Sequence, residues 1–344
     1  MKYIDNEKIK AVESEDYNYI FRKSDGFFAR WGRTKEDNPL YAPTPEILDI
    51  EITERCSGVP NKDGIRIPCS FCYKSNTPDG QVMSFNNFKQ IIDKMPWLTQ
   101  CALGADSTGT SNPDMFRMMH YARSNGIIPN LTIADVSDEI ADELVKVCGA
   151  VAVSRYENKD ICYNSIKKLS DRGLKQTNMH MLIAKETKEQ VYETFNDIKR
   201  DDRLKGMNAI VLLSLKQKNR GEKFTPLTQE EFNSTVSKGL ELNMPLGFDS
   251  CGSCKFMNFI SDHPDREKFE KFVEPCESTL FSSYISVDSK FYPCSFMEGT
   301  GDWKDGIEIK QDTDFIKDIW NHPKTIEFRN KLLTNGRNCP IYNI

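Results

Sequence analysis

Apolar and polar residues follow two alternating periodicities along the chain, and these predict repeated strand–helix units. Between residues 47 and 247, short apolar β-rich runs alternate with longer segments whose apolar residues recur every three to four positions. The predicted strands are 47–53, 98–104, 127–133, 149–154, 175–184 and 207–215, and the predicted helices are 84–94, 113–124, 137–148, 159–172, 188–200 and 229–242. Six such units predict a parallel sheet that is covered by helices.

The residues on either side of this repeat differ from it in character. Residues 1–46 predict an N-terminal extension with a β-hairpin between Tyr17 and Trp31. Residues 251–344 predict a small Cys-rich domain with a hairpin-like stretch over 284–292, and with a helical segment near 315–333 that Pro323 interrupts. We therefore predict three regions, 1–46, 47–250 and 251–344, the last having a thin core that metal ligation could stabilise.

Six strand–helix units fit either a doubly wound sheet or an open, partial barrel. A dinucleotide-binding sheet would carry a G-x-G-x-x-G turn after its first strand, and a P-loop would carry G-x-x-x-x-G-K-[ST]. The sequence contains neither pattern. A cluster of cysteines follows the first strand instead, and the C-terminal ends of parallel strands are where barrels and open α/β sheets build their sites.

Composition narrows the class of protein further. The 344 residues are 38% hydrophobic and 28% charged, which excludes a chain that is disordered throughout. Lys plus Arg number 46 against 51 for Asp plus Glu, so no basic surplus indicates a nucleic-acid partner. No apolar run approaches the roughly 18–20 residues that span a bilayer, and the N-terminus is charged where a signal peptide is apolar. We predict a cytoplasmic protein without a membrane partner.

Eleven cysteines are the unusual feature of the composition. Reducing surroundings disfavour a disulfide framework, so metal ligation or thiol chemistry is favoured for the cysteines that cluster. Cys101, Cys148 and Cys162 lie inside predicted strands or helices, where packing explains them. The remaining cysteines form one group near the start of the repeat and one in the C-terminal region: Cys56, Cys69 and Cys72, and Cys251, Cys254, Cys276, Cys294 and Cys339.

The first group combines a C-x-x-C pair with a more distant third cysteine. Cys69 and Cys72 can hold two sulfurs near one metal centre, and twelve residues separate Cys56 from Cys69. The turn-forming residues 61–64 predict a hairpin that returns the chain beside Cys56. Three thiolates on a four-iron cluster would leave one iron open for another ligand. A zinc site is the alternative for the same residues.

This arrangement resembles the radical SAM superfamily. Its members carry C-x3-C-x2-C after the first barrel strand, with an aromatic residue just before the last cysteine, and Phe71 has that position. The departure is the first gap, which is twelve residues instead of three. The resemblance implies an α/β fold, namely a partial (β/α)6 TIM-like barrel with a small Cys-rich C-terminal domain. It also implies that Cys56, Cys69 and Cys72 bind a 4Fe–4S cluster to which S-adenosyl-L-methionine (SAM) binds.

The resemblance also implies where SAM lies. Residues 104–106, after the second strand, are similar to the Gly-Gly-Glu-Pro-like segment that holds the SAM amino group, with Asp for Glu; an ordinary polar loop is the alternative. Residues 154–155 stand where relatives place groups for the ribose and carboxylate, although a solvated Arg at a strand end is equally compatible. Leu215 would line the adenine side, and residues 219–221 resemble a Gly-Arg-Gly-like turn of some relatives. The implied SAM-contacting residues are Phe71, Gly104, Ala105, Asp106, Ser154, Arg155 and Leu215.

The C-terminal cysteines resemble the SPASM and twitch extensions of radical SAM enzymes. In those extensions two cysteines flank a hairpin and bind auxiliary 4Fe–4S clusters; here Cys276 and Cys294 flank residues 284–292, with Ser289 where Gly is expected. The resemblance implies one auxiliary cluster, and Cys254, three residues farther along a loop than Cys251, is the reserve ligand. The implied ligands are Cys251, Cys276, Cys294 and Cys339. A zinc site on four of these thiolates is the alternative.

The activity implied by the resemblance is reductive cleavage of SAM to a 5′-deoxyadenosyl radical, which abstracts a hydrogen atom from the substrate. SPASM and twitch relatives commonly crosslink or oxidise ribosomally made peptides, so a peptide is the leading expectation. Alternatives are a small molecule, a nucleoside or a nucleic-acid base, the last disfavoured by the net acidity. A reductant such as flavodoxin or ferredoxin is the implied partner. A zinc-stabilised binding module without catalysis is the alternative of another class.

Overall fold

The computed structural model of the protein describes residues 1–242, 245–342 and 344. The strands are β1 (Lys2–Asp5), β2 (Ile9–Glu13), β3 (Asn18–Arg22), β4 (Phe28–Trp31), β5 (Ile47–Glu51), β6 (Val59–Pro60), β7 (Arg66–Ile67), β8 (Gln100–Gly104), β9 (Ile128–Ile133), β10 (Val151–Ser154), β11 (Thr177–Ile183), β12 (Ala209–Ser214), β13 (Leu246–Phe248), β14 (Ser282–Ile285), β15 (Lys290–Tyr292) and β16 (Ile307–Glu308). The helices are α1 (Phe85–Asp93), α2 (Met115–Ser124), α3 (Asp138–Val147), α4 (Lys159–Asp171), α5 (Lys188–Asp197), α6 (Gln229–Leu240), α7 (Ser253–Phe259), α8 (Arg266–Glu270) and α9 (Pro323–Thr334).

The N-terminal strands form an antiparallel sheet of their own, in the order β1-β2-β3-β4. Strands β3 and β4 are the two legs of the predicted hairpin, and β1 and β2 extend it. Lys10 fixes this sheet to the barrel, because its buried ammonium donates to the carbonyl oxygens of Pro96 and Leu98, both at 2.9 Å. Tyr19 adds a hydroxyl hydrogen bond to the carbonyl of Trp97 at 2.5 Å.

A large sheet organises the rest of the chain, in the order β13-β12-β11-β10-β9-β8-β5-β14-β15-β16. Strands β5 and β8–β13 run parallel, and helices α1–α6 follow the first six of them. These are the six predicted strand–helix units. Within the described residues the two edge strands, β13 and β16, do not pair with each other, so the barrel is open. The predicted partial barrel is confirmed.

Alternation along the strands gives the sheet two different faces. On β5, Leu48 and Ile50 are fully buried in the apolar core beneath the helices, whereas Asp49 points to the opposite face and is exposed. Gly104 on β8 and Thr132 on β9 are likewise exposed on that face. We call this inner face of the barrel, lined by alternate residues of β5 and β8–β12, the lumen. Its polar and accessible surface is available for a ligand.

The Cys-rich region continues the barrel sheet. Strand β14 pairs in parallel with β5, and β15 and β16 add antiparallel strands beyond it. Ser289, in the turn between β14 and β15, has a φ of +63°, the left-handed conformation that glycine adopts most easily. Pro323 begins α9 after a π-helical segment, Phe315–Trp320. The three-region division remains a prediction, and β14 shows that the last region shares its sheet with the barrel.

No helix among the described residues has the length and apolar character that crossing a membrane requires.

Candidate functional site

The first cysteine group lies on a loop across the C-terminal ends of the barrel strands. Cys56 follows β5 by five residues, and its backbone N–H donates to the carbonyl of Thr77. Ser107, after β8, lies with its hydroxyl 3.9 Å from the Cys56 sulfur and donates to the carbonyl of Gly58 at 2.6 Å. Arg220, after β12, donates to the carbonyl of Cys69 at 3.4 Å. Loops from several strands therefore hold the cysteine loop at the mouth of the barrel.

The twelve residues between Cys56 and Cys69 form the predicted hairpin. Strands β6 and β7 pair antiparallel, and Asn61 turns the chain by accepting hydrogen bonds on its side-chain oxygen from the N–H groups of Asp63 and Ile65. Gly58 has a φ of +84°, and a Cβ placed on it would lie 1.9 Å from the carbonyl oxygen of Ile67. The two legs can approach this closely only because position 58 has no side chain. The longer gap therefore still returns the chain to the other cysteines.

Tyr156, which the sequence analysis did not single out, lies among the three thiols of this loop. Burial raises the pKa of Tyr156 well above its usual value, and the neighbouring Cys69, Cys72 and Cys56 raise it further. Burial also raises the pKa of Cys69 to about 12, while hydrogen bonds from the Phe71 backbone and the Tyr156 hydroxyl oppose the rise. A nearby metal centre would favour the thiolate form that this burial disfavours.

The spacing of the thiols tests what they could hold. Among the described residues, the three side chains whose possible metal-ligating atoms all lie within 4.8 Å of one another are Glu51, Glu54 and Glu298. The thiols of Cys56, Cys69 and Cys72 do not form such a set. The thiols of the loop are therefore spread more widely than the sulfurs on a single zinc ion, which lie about 4 Å apart for bonds of about 2.3 Å. A four-iron cluster takes its thiolates on different irons, and the three half-buried cysteines fit that group.

In residues 104–106, the segment that the resemblance implies for the SAM amino group, the Asp106 carboxylate already accepts hydrogen bonds within its own loop. Gly104 is exposed at the end of β8, but Asp106 is buried, and its carboxylate accepts from the N–H groups of Thr108 and Ser111 at 3.0 and 3.1 Å. The Asp106 carboxylate thus folds its own loop. Backbone groups of this segment remain the more available contacts for a ligand, and the role of Asp106 stays a prediction.

Ser154 and Arg155 point to opposite faces of the sheet, as neighbours on a strand do. The Ser154 side chain lies beside Tyr156, near the thiols, and opposes the rise in the pKa of Tyr156. The Arg155 guanidinium lies instead between α4 and α5, where it donates to Glu193 at 2.9 Å and faces the Tyr163 ring. Two of its nitrogens are buried without a partner among the described residues. The structure therefore brings Ser154, but not the Arg155 side chain, towards the cysteine loop.

The two remaining implied SAM contacts are apolar. Phe71 stacks on Tyr156 with ring centroids 5.5 Å apart and meets Phe224 edge-on at 5.7 Å. Leu215 is buried after β12, with its Cδ1 3.7 Å from where a Cβ on Gly221 would stand. The Phe71 carbonyl oxygen lies 3.6 Å from the same Cβ position on Gly221. Phe71 and Leu215 therefore both lie where the loop after β12 meets the cysteine loop.

The C-terminal cysteines surround one cavity of about 420 Å³. Cys251, Cys254, Cys276 and Cys339 line it. Burial raises the pKa of Cys294 to about 12, and Cys276 and Cys339 beside it add to the rise, so Cys294 belongs to the same group. The structure places Cys254 in the first turn of α7 and not on a loop as predicted. Four thiols line the cavity and Cys294 lies beside them, and a cavity of this size fits a single four-iron cluster.

A buried ion pair lies against this second cysteine group. Lys216 follows β12 by two residues and pairs with Asp249, which precedes Cys251 by two residues. Burial opposes the charge on Lys216, but Asp249 and the Cys251 sulfur beside it hold its pKa above the usual value. Lys216 also lies 4.8 Å from the centre of the Phe296 ring. A fixed positive charge beside Cys251 would stabilise a thiolate there.

A second buried cluster of charges joins the two cysteine groups. Glu51, at the end of β5, accepts a hydrogen bond from the Tyr284 hydroxyl at 2.7 Å and pairs with Lys74 at 2.9 Å. Lys74 also pairs with Glu298. Since Lys74 follows Cys72 by two residues and Glu298 follows Cys294 by four, this cluster fixes the two loops against each other.

Solved structures with a similar fold extend over nearly the whole chain. No protein-family model matches it, and no curated protein matches it. The structure of Streptococcus suis SuiB aligns with a TM-score of 0.67 at 11% identity, covering 94% of this chain and 90% of SuiB. SuiB bound to its precursor peptide SuiA gives 0.66 at 12% identity, over 93% and 90%. SuiB bound to S-adenosylmethionine gives 0.65 at 11%, over 95% and 90%.

A further solved structure, anSMEcpe with bound AdoMet, aligns with a TM-score of 0.53 at 15% identity and covers 82% of each chain. At these identities the likeness shows a shared fold. That fold is the one that the resemblance to radical SAM enzymes predicted.

Proposed function

We propose that the protein is a radical SAM enzyme that modifies a peptide. The observation that carries the proposal is the cysteine loop at the mouth of the barrel, with Cys56, Cys69 and Cys72 around Tyr156. The shared fold supports it, because two of the similar structures contain bound S-adenosylmethionine or AdoMet. When bound, the 4Fe–4S cluster and SAM would supply a 5′-deoxyadenosyl radical that abstracts a hydrogen atom.

The protein's own residues would position these groups. Ser107, Arg220 and the Phe71–Tyr156 stack hold the loop that carries the three cysteines. We propose that SAM lies across the ends of β8, β10 and β12, against backbone groups of Gly104 to Asp106 and the side chains of Ser154, Phe71 and Leu215. Arg155, on the helix side of the sheet, would help to position Ser154 through its ion pair with Glu193. Enclosing the radical among these loops keeps water away from it.

The second cysteine group is proposed to bind one auxiliary 4Fe–4S cluster through Cys251, Cys276, Cys294 and Cys339. The cavity lined by Cys251, Cys276 and Cys339 supports this, and Cys294 lies beside Cys276 and Cys339. Cys254 lines the same cavity as the reserve ligand. A low-potential electron donor such as flavodoxin or ferredoxin is the proposed partner, because reductive cleavage of SAM consumes an electron.

A peptide is proposed as the substrate because the fold extends over nearly the whole length of SuiB, including the structure in which a precursor peptide is bound. The polar lumen between the two cysteine groups would receive it. Among the residues that the structure describes, no specific contact favours a nucleoside, a sugar or a nucleic-acid base.

The substrate class is tested with pooled candidates. Anaerobically reconstituted protein, SAM and dithionite are incubated with a pool of random peptides, or with a pool of nucleosides and sugars. Crosslinking or oxidation of a side chain removes two hydrogens, so peptides that lose about 2 Da, in step with 5′-deoxyadenosine, would support the proposal. Turnover of the small-molecule pool alone would contradict the peptide assignment and leave the radical SAM assignment intact.

A further inference from the structure

One carboxylate stands out on the lumen face of the barrel. The lumen-facing positions of β5 and β8–β12 combine uncharged polar, small and apolar side chains with His180, and the acidic ones among them are Asp49 and Glu51. Glu51 pairs with Lys74 and accepts a hydrogen bond from the Tyr284 hydroxyl. The Asp49 carboxylate has no hydrogen bond and no ion pair with any described residue, although its backbone is paired on both sides in the sheet.

The neighbours of Asp49 on the lumen face cannot satisfy it. The register places Ala102 on one side and Tyr284 on the other. Ala102 has no polar side-chain atom, and the Tyr284 hydroxyl is directed to Glu51 and Glu298. The next strand contributes Asn130, whose amide already bonds to Gln100 and to the backbone of Ala150.

The Asp49 carboxylate is accessible from the lumen, but the surrounding protein limits its hydration. The side chain is exposed to the lumen, while the enclosing protein, and to a lesser degree the carboxylate of Glu277, raises its pKa to about 6. A desolvated carboxylate without a partner is costly, and a cation that enters the site offsets that cost. Among the described cations near the lumen, Lys74 and Lys216 are engaged by other carboxylates, and Lys218 donates to the backbone carbonyls of Phe296 and Glu298.

The position of Asp49 suits contact with a bound substrate. It precedes Glu51 by two residues on the same face of β5, so it lies about 7 Å deeper in the barrel than the end of that strand. The cysteine loop begins immediately beyond that end, and β14, on the other side of Asp49, leads to the second cysteine group. A side chain that enters the lumen past the cysteine loop would therefore reach Asp49 at its tip.

We propose that Asp49 binds a positively charged side chain, that of a lysine or an arginine, of the peptide substrate. Long cationic side chains match this depth, and a charge-assisted hydrogen bond in an enclosed site is stronger than one in water. Asp49 would determine which residue of the peptide enters the barrel. The inference rests on the proposed peptide substrate and adds the chemical class that the lumen selects.

The test is a selection of random twelve-residue peptides by the reconstituted protein in the presence of SAM, with sequencing of those retained. We expect lysine or arginine to be enriched at one position of the peptides retained by the parent protein, and the enrichment to disappear with Asp49→Asn. The matched control is Asp142→Asn, because Asp142 is an exposed carboxylate on α3 that pairs with Arg172. Its selection should equal that of the parent.

A double-mutant cycle then isolates the contact. A selected peptide is synthesised with its lysine or arginine and with norleucine at that position, and both are titrated against the parent and Asp49→Asn. Norleucine should weaken binding to the parent about tenfold to a hundredfold and change binding to Asp49→Asn little. Equilibrium dialysis with SAM, unchanged in Asp49→Asn, would show that the variant is folded.

Three results would overturn the inference: retention of peptides without a cationic preference, the same preference in Asp49→Asn, or no retained peptide at all. Cleavage of SAM is measured separately on the same preparations. A protein that cleaves SAM but shows no cationic preference would contradict this inference alone. A protein that selects cationic peptides through Asp49 but does not cleave SAM would contradict the proposed radical SAM activity alone.

Discussion

Phe71 and Tyr156 stack face to face, with ring centroids 5.5 Å apart and planes inclined by 14°. Phe71 lies between Cys69 and Cys72, whereas Tyr156 follows β10 by two residues. The stack therefore joins the centre of the cysteine loop to a strand three places away from β5 in the sheet order. It anchors the segment that carries Cys69 and Cys72 against the end of β10.

The stack makes a first prediction. Tyr156→Ala should lower the free energy of unfolding by about 3–5 kcal/mol and should weaken SAM binding, because the cysteine loop loses its support. Tyr156→Phe keeps the ring and should retain SAM binding close to that of the parent. Urea unfolding and equilibrium dialysis with SAM measure the two effects. Normal SAM binding by Tyr156→Ala would show that the stack does not position the loop.

Two glycines of the hairpin between Cys56 and Cys69 provide a matched pair of substitutions. Both have left-handed backbones, with φ of +84° at Gly58 and +79° at Gly64, so alanine costs about 1–2 kcal/mol at either site. A Cβ at Gly58 would in addition lie 1.9 Å from the Ile67 carbonyl oxygen, whereas one at Gly64 would meet nothing within 4 Å.

We therefore expect Gly58→Ala to open the hairpin and to lose iron from the first cysteine group, whereas Gly64→Ala retains it. Iron analysis and hydrogen exchange at the Asn61 and Ile65 amides, which flank the turn, check this expectation. Equal iron content in the two variants would mean that the hairpin does not determine how Cys56 meets Cys69.

The sequence predicted the parts of this protein that local patterns determine. The six strand–helix units follow from periodicity, and the hairpin after Cys56 follows from the turn residues at 61–64. The pairing of β14 with β5 was not predicted, because it joins strands more than 230 residues apart, and no local pattern records such a contact.

In the candidate site, local patterns again predict the direction of side chains along a strand, whereas contacts between distant loops are not predictable from them. Arg155 was expected near SAM from its place after β10, but strand alternation turns its side chain to the helices and leaves Ser154 on the lumen side. That alternation was readable from the sequence. Tyr156 carried no motif, and its place among the thiols depends on how the loops of β5 and β10 meet.

The third prediction concerns pH. The pKa of Asp49 is raised to about 6, chiefly by desolvation in the enclosed lumen and secondarily by Glu277. The other titratable groups near it are Glu51, Tyr73, Tyr284 and Cys101. Between about pH 4 and pH 6 the folded state holds a proton on Asp49 that the unfolded state has released. The contribution of Asp49 to stability is therefore complete below about pH 4 and is lost as the pH rises through about 6.

Asp49→Asn removes this titration, so the free energy of unfolding of the variant minus that of the parent should be larger at pH 8 than at pH 4.5. Urea unfolding at the two pH values measures the difference, with Asp142→Asn as the control that should show no such trend. A difference between Asp49→Asn and the parent that is the same at both pH values would contradict the raised pKa.

The fourth prediction separates the ligands of the second cysteine group. With Cys56, Cys69 and Cys72 replaced by alanine, about four irons should remain per chain. Adding Cys294→Ala should remove them, whereas adding Cys254→Ala should retain them. Iron analysis with electron paramagnetic resonance gives the answer. Zinc in place of iron would refute the auxiliary cluster, and loss of iron on Cys254→Ala would refute only the choice of ligands.

The most direct test of the central claim is the formation of 5′-deoxyadenosine. Anaerobically reconstituted protein with dithionite and SAM should release 5′-deoxyadenosine, and a Cys69→Ala, Cys72→Ala variant should release none. Cys162→Ala, which removes a buried thiol of α4 away from both groups, should retain the activity. Undiminished release by the Cys69→Ala, Cys72→Ala variant, or no release by the parent protein with a full complement of iron, would contradict the account.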